Sequence, residues 1–146
     1  MGRSGGPSAP GRVLGLDLGD VRIGVAISDP DRRLAVPLGT VRAGRPPGEL
    51  RAIADLVREN DVVLVVVGLP LSLTGDAGPR ACKTQELAAA LASVLPVPVE
   101  LHDERLSTVE AERALRDAGA TGRSVRRAVD RSAAAVILQS WLDARR

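Results

Sequence analysis

Residues 12–28 read RVLGLDLGDVRIGVAIS, and this stretch decides the fold. β-Branched and aliphatic residues run on both sides of Gly19-Asp20, the pattern of two strands around a tight turn and so of an antiparallel hairpin. A third strand follows over Leu34–Val41, after the turn formers Ser28-Asp29-Pro30-Asp31. The period then changes. Pro46 and Pro47 open a helix whose Leu50, Ile53, Ala54 and Val57 share one face, and it stops near Asn60. Val62–Val67 is apolar throughout, without alternation, as in a strand covered on both faces and therefore central. A loop of turn formers (Gly68, Pro70, Gly75, Asp76, Gly78, Pro79) leads to a helix with Thr84, Leu87, Ala88 and Leu91 inward. Val97–Leu101 makes another strand. Ser107 and Glu110 form a capping box for a helix that buries Ala111, Ala114, Leu115 and Ala118 and ends at Gly119. The last helix spans Val129–Ala144, with Ala133, Val136, Ile137, Ser140 and Trp141 inward. The order β-β-β-α-β-α-β-α-α is an α/β fold, an antiparallel meander followed by right-handed crossovers into parallel strands.

Composition narrows the function. A chain of 146 residues fits one domain, read as a disordered lead over residues 1–11 and a single domain over 12–146. With 45% hydrophobic and 26% charged residues it is not globally disordered. The longest apolar stretch, from Val62 to Leu71, falls short of the roughly 18 residues of a membrane span, and the N-terminus lacks the apolar centre of a secretory signal. One cysteine, Cys82, read as a small packed thiol, fits a reducing cytosol, so the expected location is cytoplasmic. Net charge is only +2, and Lys83 is the sole lysine among 20 cationic side chains. Arginine suits phosphate recognition, but a GC-rich genome produces the same bias. Tyr and Phe are absent and Trp141 stands alone, so no aromatic platform can stack single-stranded bases. Any nucleic acid is held by its backbone.

Three acids occupy unusual places. Asp17 lies inside the first strand among Leu14, Leu16 and Leu18, where an ionised carboxylate costs several kcal/mol unless a cation or strong donors meet it. It is either a hydrogen-bond acceptor for the turn at Gly19 or a metal ligand. Glu104 follows the strand ending at Leu101, at the carboxyl edge where open α/β sheets bind ligands; the alternative is a solvated acid paired with Arg105. Asp103 ranks below it as a turn former. His102 is the only histidine and has no Ser or Cys nucleophile to serve. Asp130 suits a helix N-cap, and Arg123, Arg126, Arg127 and Arg131 around it are either a solvated helix start or a surface for an anionic substrate. The fold could bring Asp17, Glu104 and Asp130 to one edge. Oxygen ligands without Cys or His suit Mg²⁺ or Mn²⁺ and two-metal phosphoryl chemistry, with ions about 3.5–4 Å apart.

Four blocks, LGLDLGDVRIGVAIS, VVVGLPLSLTGDAG, LHDERLSTVEAERAL and VDRSAAAVILQSWL, occur in this order across residues 12–143. Together they resemble the YqgF family, also called RuvX, of pre-16S ribosomal RNA nucleases and Holliday junction resolvase homologues. The resemblance implies an RNase H-like fold, a five-stranded mixed sheet (three antiparallel strands, then parallel additions) with helices on both faces. It implies two ions, Mg²⁺ or Mn²⁺, held by Asp17, Glu104 and Asp130, with Asp17 bridging. Arg22 and Arg105 then neutralise phosphates, and Gly68, Leu69 and Pro70 shape the backbone beside the substrate. Asp20 and Arg131 depart from the usual pattern.

The expected activity is a metal-dependent nuclease on structured nucleic acid, maturing the 5′ end of pre-16S rRNA, as a monomer or homodimer with no membrane partner. Rival readings are a dimeric resolvase of four-way DNA, a non-catalytic RNA-binding ribosome-assembly factor, and half of an actin-like ATPase, which the length disfavours.

Overall fold

The computed structural model describes residues 11–43, 48–72, 74–107 and 132–145. These form β1 (Arg12–Leu18), β2 (Arg22–Ser28), β3 (Ala35–Arg42), α1 (Gly48–Glu59), β4 (Val62–Leu69), α2 (Pro79–Val94), β5 (Val99–Asp103), one 3-10 turn (Glu104–Leu106) and α3 (Ala133–Asp143). The strands make a single mixed sheet in the order β3-β2-β1-β4-β5. The β1–β2 and β2–β3 pairs are antiparallel, and β1–β4 and β4–β5 are parallel.

Alternation along β1 sorts its side chains between two layers. Leu14 and Leu16 join Ile53 of α1, Val65 and Val67 of β4, and Leu87 and Leu91 of α2 in one buried cluster, with Leu18 packed against it. Val13 lies on the other face with Val66, Ala134, Leu138, Trp141 and Leu142. Gly15 shares that face. A Cβ there would stand 2.8 Å from the Leu138 Cβ and 3.3 Å from the Ala134 carbonyl, so the missing side chain lets α3 settle onto the sheet.

Several boundaries differ from the sequence expectation. The hairpin connection is Gly19–Val21 rather than a two-residue turn, closed by a 2.9 Å hydrogen bond from the Gly19 amide to the Arg22 carbonyl. A Cβ on Gly19 would meet that carbonyl oxygen at 2.6 Å. β4 is interior as expected, but β1 holds the middle of the sheet. β5 starts at Val99 instead of Val97 because Pro96 and Pro98 have no N–H for the ladder, and it runs on to Asp103 opposite Leu69. α3 begins at Ala133, with Ser132 as its N-cap accepting a 3.1 Å hydrogen bond from the Ala135 amide. Its buried residues are Ala134, Ile137, Leu138, Trp141 and Leu142, one step around from the expected face. Ala133–Leu138 is apolar on every side, so periodicity there could not select a face. Cys82 is exposed rather than packed, since α2 turns Ala81 and Thr84 inward on either side of it. Residues 1–10, Pro46 and Pro47, and the helix expected from Ser107 lie wholly or largely outside the described residues. Among the described residues no helix is long and apolar enough to cross a membrane.

The turn into β3 carries a pH-dependent contribution. Asp29 Oδ1 accepts the Arg33 amide at 2.8 Å and the Leu34 amide at 3.0 Å, and these bonds, Leu34's foremost, hold its carboxyl below the ordinary 3.8. A depressed carboxyl stabilises the folded state above its unfolded pKa and loses that contribution as pH falls through its folded value. Asp29→Ala is therefore expected to lower Tm at pH 7, with the deficit shrinking on titration below pH 3.8; a deficit constant down to pH 2 would assign the effect to packing instead.

Candidate active site

Asp17 is the last residue but one of β1, half-buried, and opposite Gly24 of β2. Alternation places it on the α3 face. A Cβ on Gly24 would lie 3.8 Å from the Asp17 Cβ and 3.6 Å from the Ala134 Cβ, so the acid sits beside the first turn of α3. Leu16 pairs with Val67 across β1–β4, which puts Asp17 level with Gly68, and Gly68 pairs with His102 across β4–β5. Strands are about 4.8 Å apart, so Asp17, Gly68 and His102 form a row at the carboxyl edge.

Glu104 lies just past this row, opening the 3-10 turn, and only 1% of its surface is exposed. Its side chain folds back over β4. A Cβ on Gly68 would stand 3.0 Å from Glu104 Oε2, 3.3 Å from Glu104 Cγ and 2.6 Å from Ile137 Cδ1. Gly68 is thus the floor of a cradle for the Glu104 carboxylate, with α3 as its wall. The carboxylates of Asp17 and Glu104 occupy the same face and the same edge, with only the side-chain-free position of β4 between their strands.

The neighbours of Glu104 do other work. Arg105 grips Asp103: Nε lies 3.1 and 3.0 Å from the two carboxylate oxygens, and Nη2 is 2.7 Å from Oδ2. Asp103 also caps the turn, accepting the Arg105 amide at 2.9 Å. The Arg105 guanidinium holds the Asp103 carboxyl below the usual range. Asp103 is therefore the ion-paired turn former and Glu104 the buried acid. His102 is buried, and burial pushes its imidazole below the ordinary 6.5, the Arg145 charge adding to the effect while Asp103 and Glu100 oppose it. Its Nε2 lies 3.0 Å from Ser140 Oγ, and that hydroxyl donates to the Leu106 carbonyl at 2.9 Å. A hydroxyl has one proton, so His102 Nε2 is the donor to Ser140. The ring is anchored to α3 through Ser140.

Arg22 is exposed at the start of β2, next to the hairpin that ends in Asp17. Leu69 and Pro70 continue from Gly68 past the end of β4. The sequence reading missed Arg80, whose Nη2 donates to the Leu18 carbonyl at 3.3 Å and ties the first turn of α2 to the end of β1. Its signal was the Gly78-Pro79 helix start, which places residue 80 in a first turn. Asp20 is exposed. Asp130, Arg123, Arg126, Arg127 and Arg131 lie outside the described residues, but the N-cap role considered for Asp130 belongs to Ser132.

Two carboxylates on one face, without thiolate or available imidazole, form a hard oxygen donor set that fits Mg²⁺ or Mn²⁺. Gly68 leaves Glu104 the room to lie inward. Among the described residues no group of three ligating side chains converges.

Three antiparallel strands extended by two parallel ones, with acids at the carboxyl edge of β1 and just beyond β5, define the RNase H-like class of α/β folds. Thermus thermophilus RuvC, solved in complex with Holliday junction substrate, shares this fold at a TM-score of 0.55 and 16% identity, over 92% of this chain and 94% of that one. The chain belongs to the RuvX family, whose profile, described as Holliday junction resolvase, matches residues 11–144. A Mycobacterium ulcerans relative named "Putative pre-16S rRNA nuclease" is 53% identical over 137 residues, 93% of this chain and 81% of the relative. A Chloroflexus aggregans relative of the same name is 50% identical over 134 residues, 92% of this chain and 94% of the relative.

Proposed function

We propose that the chain is a metal-dependent nuclease that hydrolyses phosphodiester bonds in structured nucleic acid, with the 5′ end of pre-16S rRNA as its substrate in a cytoplasmic setting. The observation that carries this reading is the burial of Glu104 over Gly68 on the same face and edge as Asp17. Two carboxylates on one face at the carboxyl edge make an oxygen donor set of the kind a divalent cation binds.

Asp17 and Glu104 hold Mg²⁺ or Mn²⁺ in this reading, joined by Asp130. The bound ions supply Lewis-acid activation of water and neutralise charge on the departing oxygen. The chain's own groups bind and orient. Arg22, and Arg105 once its guanidinium exchanges Asp103 for a phosphate, contact the backbone, as do Arg123, Arg126, Arg127 and Arg131. Gly68, Leu69 and Pro70 present main chain rather than side chains to the substrate. Water attacks the phosphorus in line, the P–O3′ bond breaks, and the products are a 5′-phosphate and a 3′-hydroxyl.

The relatives' name favours ribosomal precursor, and the family description favours a four-way junction. Junction resolution needs two sites facing opposite strands, hence a stable dimer. Side-by-side cleavage of precursor rRNA and a synthetic four-way junction, with and without divalent metal, separates them. The expected result is metal-dependent cleavage of the precursor at one end and no paired nicks in the junction. Symmetric nicks with a two-subunit requirement would reverse the choice. Normal rRNA processing in cells carrying Asp17→Asn would instead mark a non-catalytic assembly factor.

A further inference from the structure

Glu104 sits at the middle of a five-residue span, His102 to Leu106, and both ends of that span are bound by one hydroxyl. Ser140 Oγ accepts from His102 Nε2 at 3.0 Å and donates to the Leu106 carbonyl at 2.9 Å. The turn closes itself as well, since the Ser107 amide and hydroxyl both donate to the Glu104 carbonyl at 3.0 and 2.9 Å. That closure sets the shape of the turn but not its position on the sheet. Position comes from the β4–β5 ladder, which sets Gly68 opposite His102 and Leu69 opposite Asp103, and from α3. Ile137, which walls the Glu104 cradle, and Ser140 are one turn apart and so share the helix face that meets this turn.

We propose that Ser140 is a positioning residue: its hydroxyl locks the turn bearing Glu104 to α3, and thereby sets the Glu104 carboxylate at the separation from Asp17 that a shared divalent cation requires. The inference rests on the nuclease reading above and extends it to a residue that does not touch substrate. Losing the hydroxyl removes the tie to α3 at both ends of the span, leaving the His102 side-chain N–H and the Leu106 carbonyl without that partner, while the β4–β5 ladder still holds the His102 and Asp103 backbone. Glu104 keeps its burial and its chemistry but loses its fixed place. Groups that orient metal ligands in this indirect way are typically worth 10- to 100-fold in metal affinity or activity.

The test uses the full chain with five variants, read by calorimetric Mn²⁺ titration and by cleavage of an RNA spanning the 5′ end of 16S rRNA. Ser140→Ala is expected to lower kcat and weaken Mn²⁺ affinity by about tenfold each, with KM within about twofold of the parent. Ser140→Thr, which keeps the hydroxyl, restores most of both. Gln139→Ala is the control for loosening α3 in general. Gln139 accepts the Ala35 amide at 2.8 Å and donates to the Arg33 carbonyl and to Asp143 Oδ1 at 3.0 Å each, so its hydrogen bonds go elsewhere than the Glu104 turn. It is expected to lower Tm while leaving kcat and Mn²⁺ affinity in place. Wild-type kcat and Mn²⁺ affinity in Ser140→Ala would overturn the proposal, as would equal losses in Gln139→Ala at the same Tm. If Ser140→Ala does not fold, Ser140→Cys, a weak donor of similar size, is judged by the same criteria. Glu104→Gln separates the two levels. If it cuts normally, the nuclease site itself is misassigned; if it is dead while Ser140→Ala is normal, only the positioning role falls.

Discussion

Asp17→Asn and Glu104→Gln are each expected to reduce kcat on the order of 10³-fold, and the double variant to fall little further than the worse of the two. Stabilising transition-state charge with a bound metal is worth several kcal/mol, and each 1.36 kcal/mol is tenfold in rate, so removing a ligand costs roughly three decades. The non-additivity is the sharper expectation. Both carboxylates lie on the α3 face at one edge, in the row that runs through Gly68. If they hold the same ion, losing either empties the site, and the second substitution removes nothing more. KM should change little if, as proposed, the arginines outside the acid pair make the ground-state contact with the phosphates. Steady-state cleavage and Mn²⁺ calorimetry on the three variants provide the measurement. Losses that multiply to about 10⁶ would mean that the two acids act in separate steps, and the shared-cation reading would go with them.

Asp17 was legible in the sequence because its flanks, Leu16 and Leu18, are apolar and the strand period is two, so any acid there has to be held against a layer. The choice of Glu104 over Asp103 was harder. Both follow a strand, and only the ladder shows that β5 runs to Asp103, with Pro98 delaying its start, so that Glu104 turns inward and Asp103 is left to pair with Arg105. Asp130 suits a capping role that Ser132 in fact performs, a two-residue ambiguity that a run of Ser, Ala and Arg cannot resolve. Local pattern put Arg80 in a first turn and Ser140 on an inward face but could not give their partners, Leu18 and His102, which lie 62 and 38 residues away in the chain. Local pattern carries the elements and the strand-borne acid, whereas the contacts that aim the second acid exist only after β4, β5 and α3 have met.

That dependence on meeting surfaces gives Gly68 and Gly15 opposite expected phenotypes, although both lie under α3 on the same face of the sheet. A methyl group at Gly15 would meet the Leu138 Cβ at 2.8 Å and the Ala134 carbonyl at 3.3 Å. Neither atom can rotate away, so the helix has to lift, and overpacking of this kind costs about 1–3 kcal/mol. A methyl group at Gly68 would meet Ile137 Cδ1 at 2.6 Å and Glu104 Oε2 at 3.0 Å, both the ends of side chains that can turn aside. Gly68→Ala should therefore cost about 1 kcal/mol of stability, at the low end of that range, because the fold yields where it is soft. What yields is Glu104. A shift of about 1 Å in a catalytic group is worth on the order of 10²-fold in rate, so Gly68→Ala should lose far more kcat than Tm, and Gly15→Ala the reverse. Gly24→Ala calibrates both, since its methyl would find only ordinary contacts of 3.6–3.9 Å with Ala134 and Asp17. Chemical denaturation and single-turnover cleavage of the three variants decide the matter: normal kcat in a folded Gly68→Ala would show that the position of Glu104 does not limit the reaction, however deeply the carboxylate is buried.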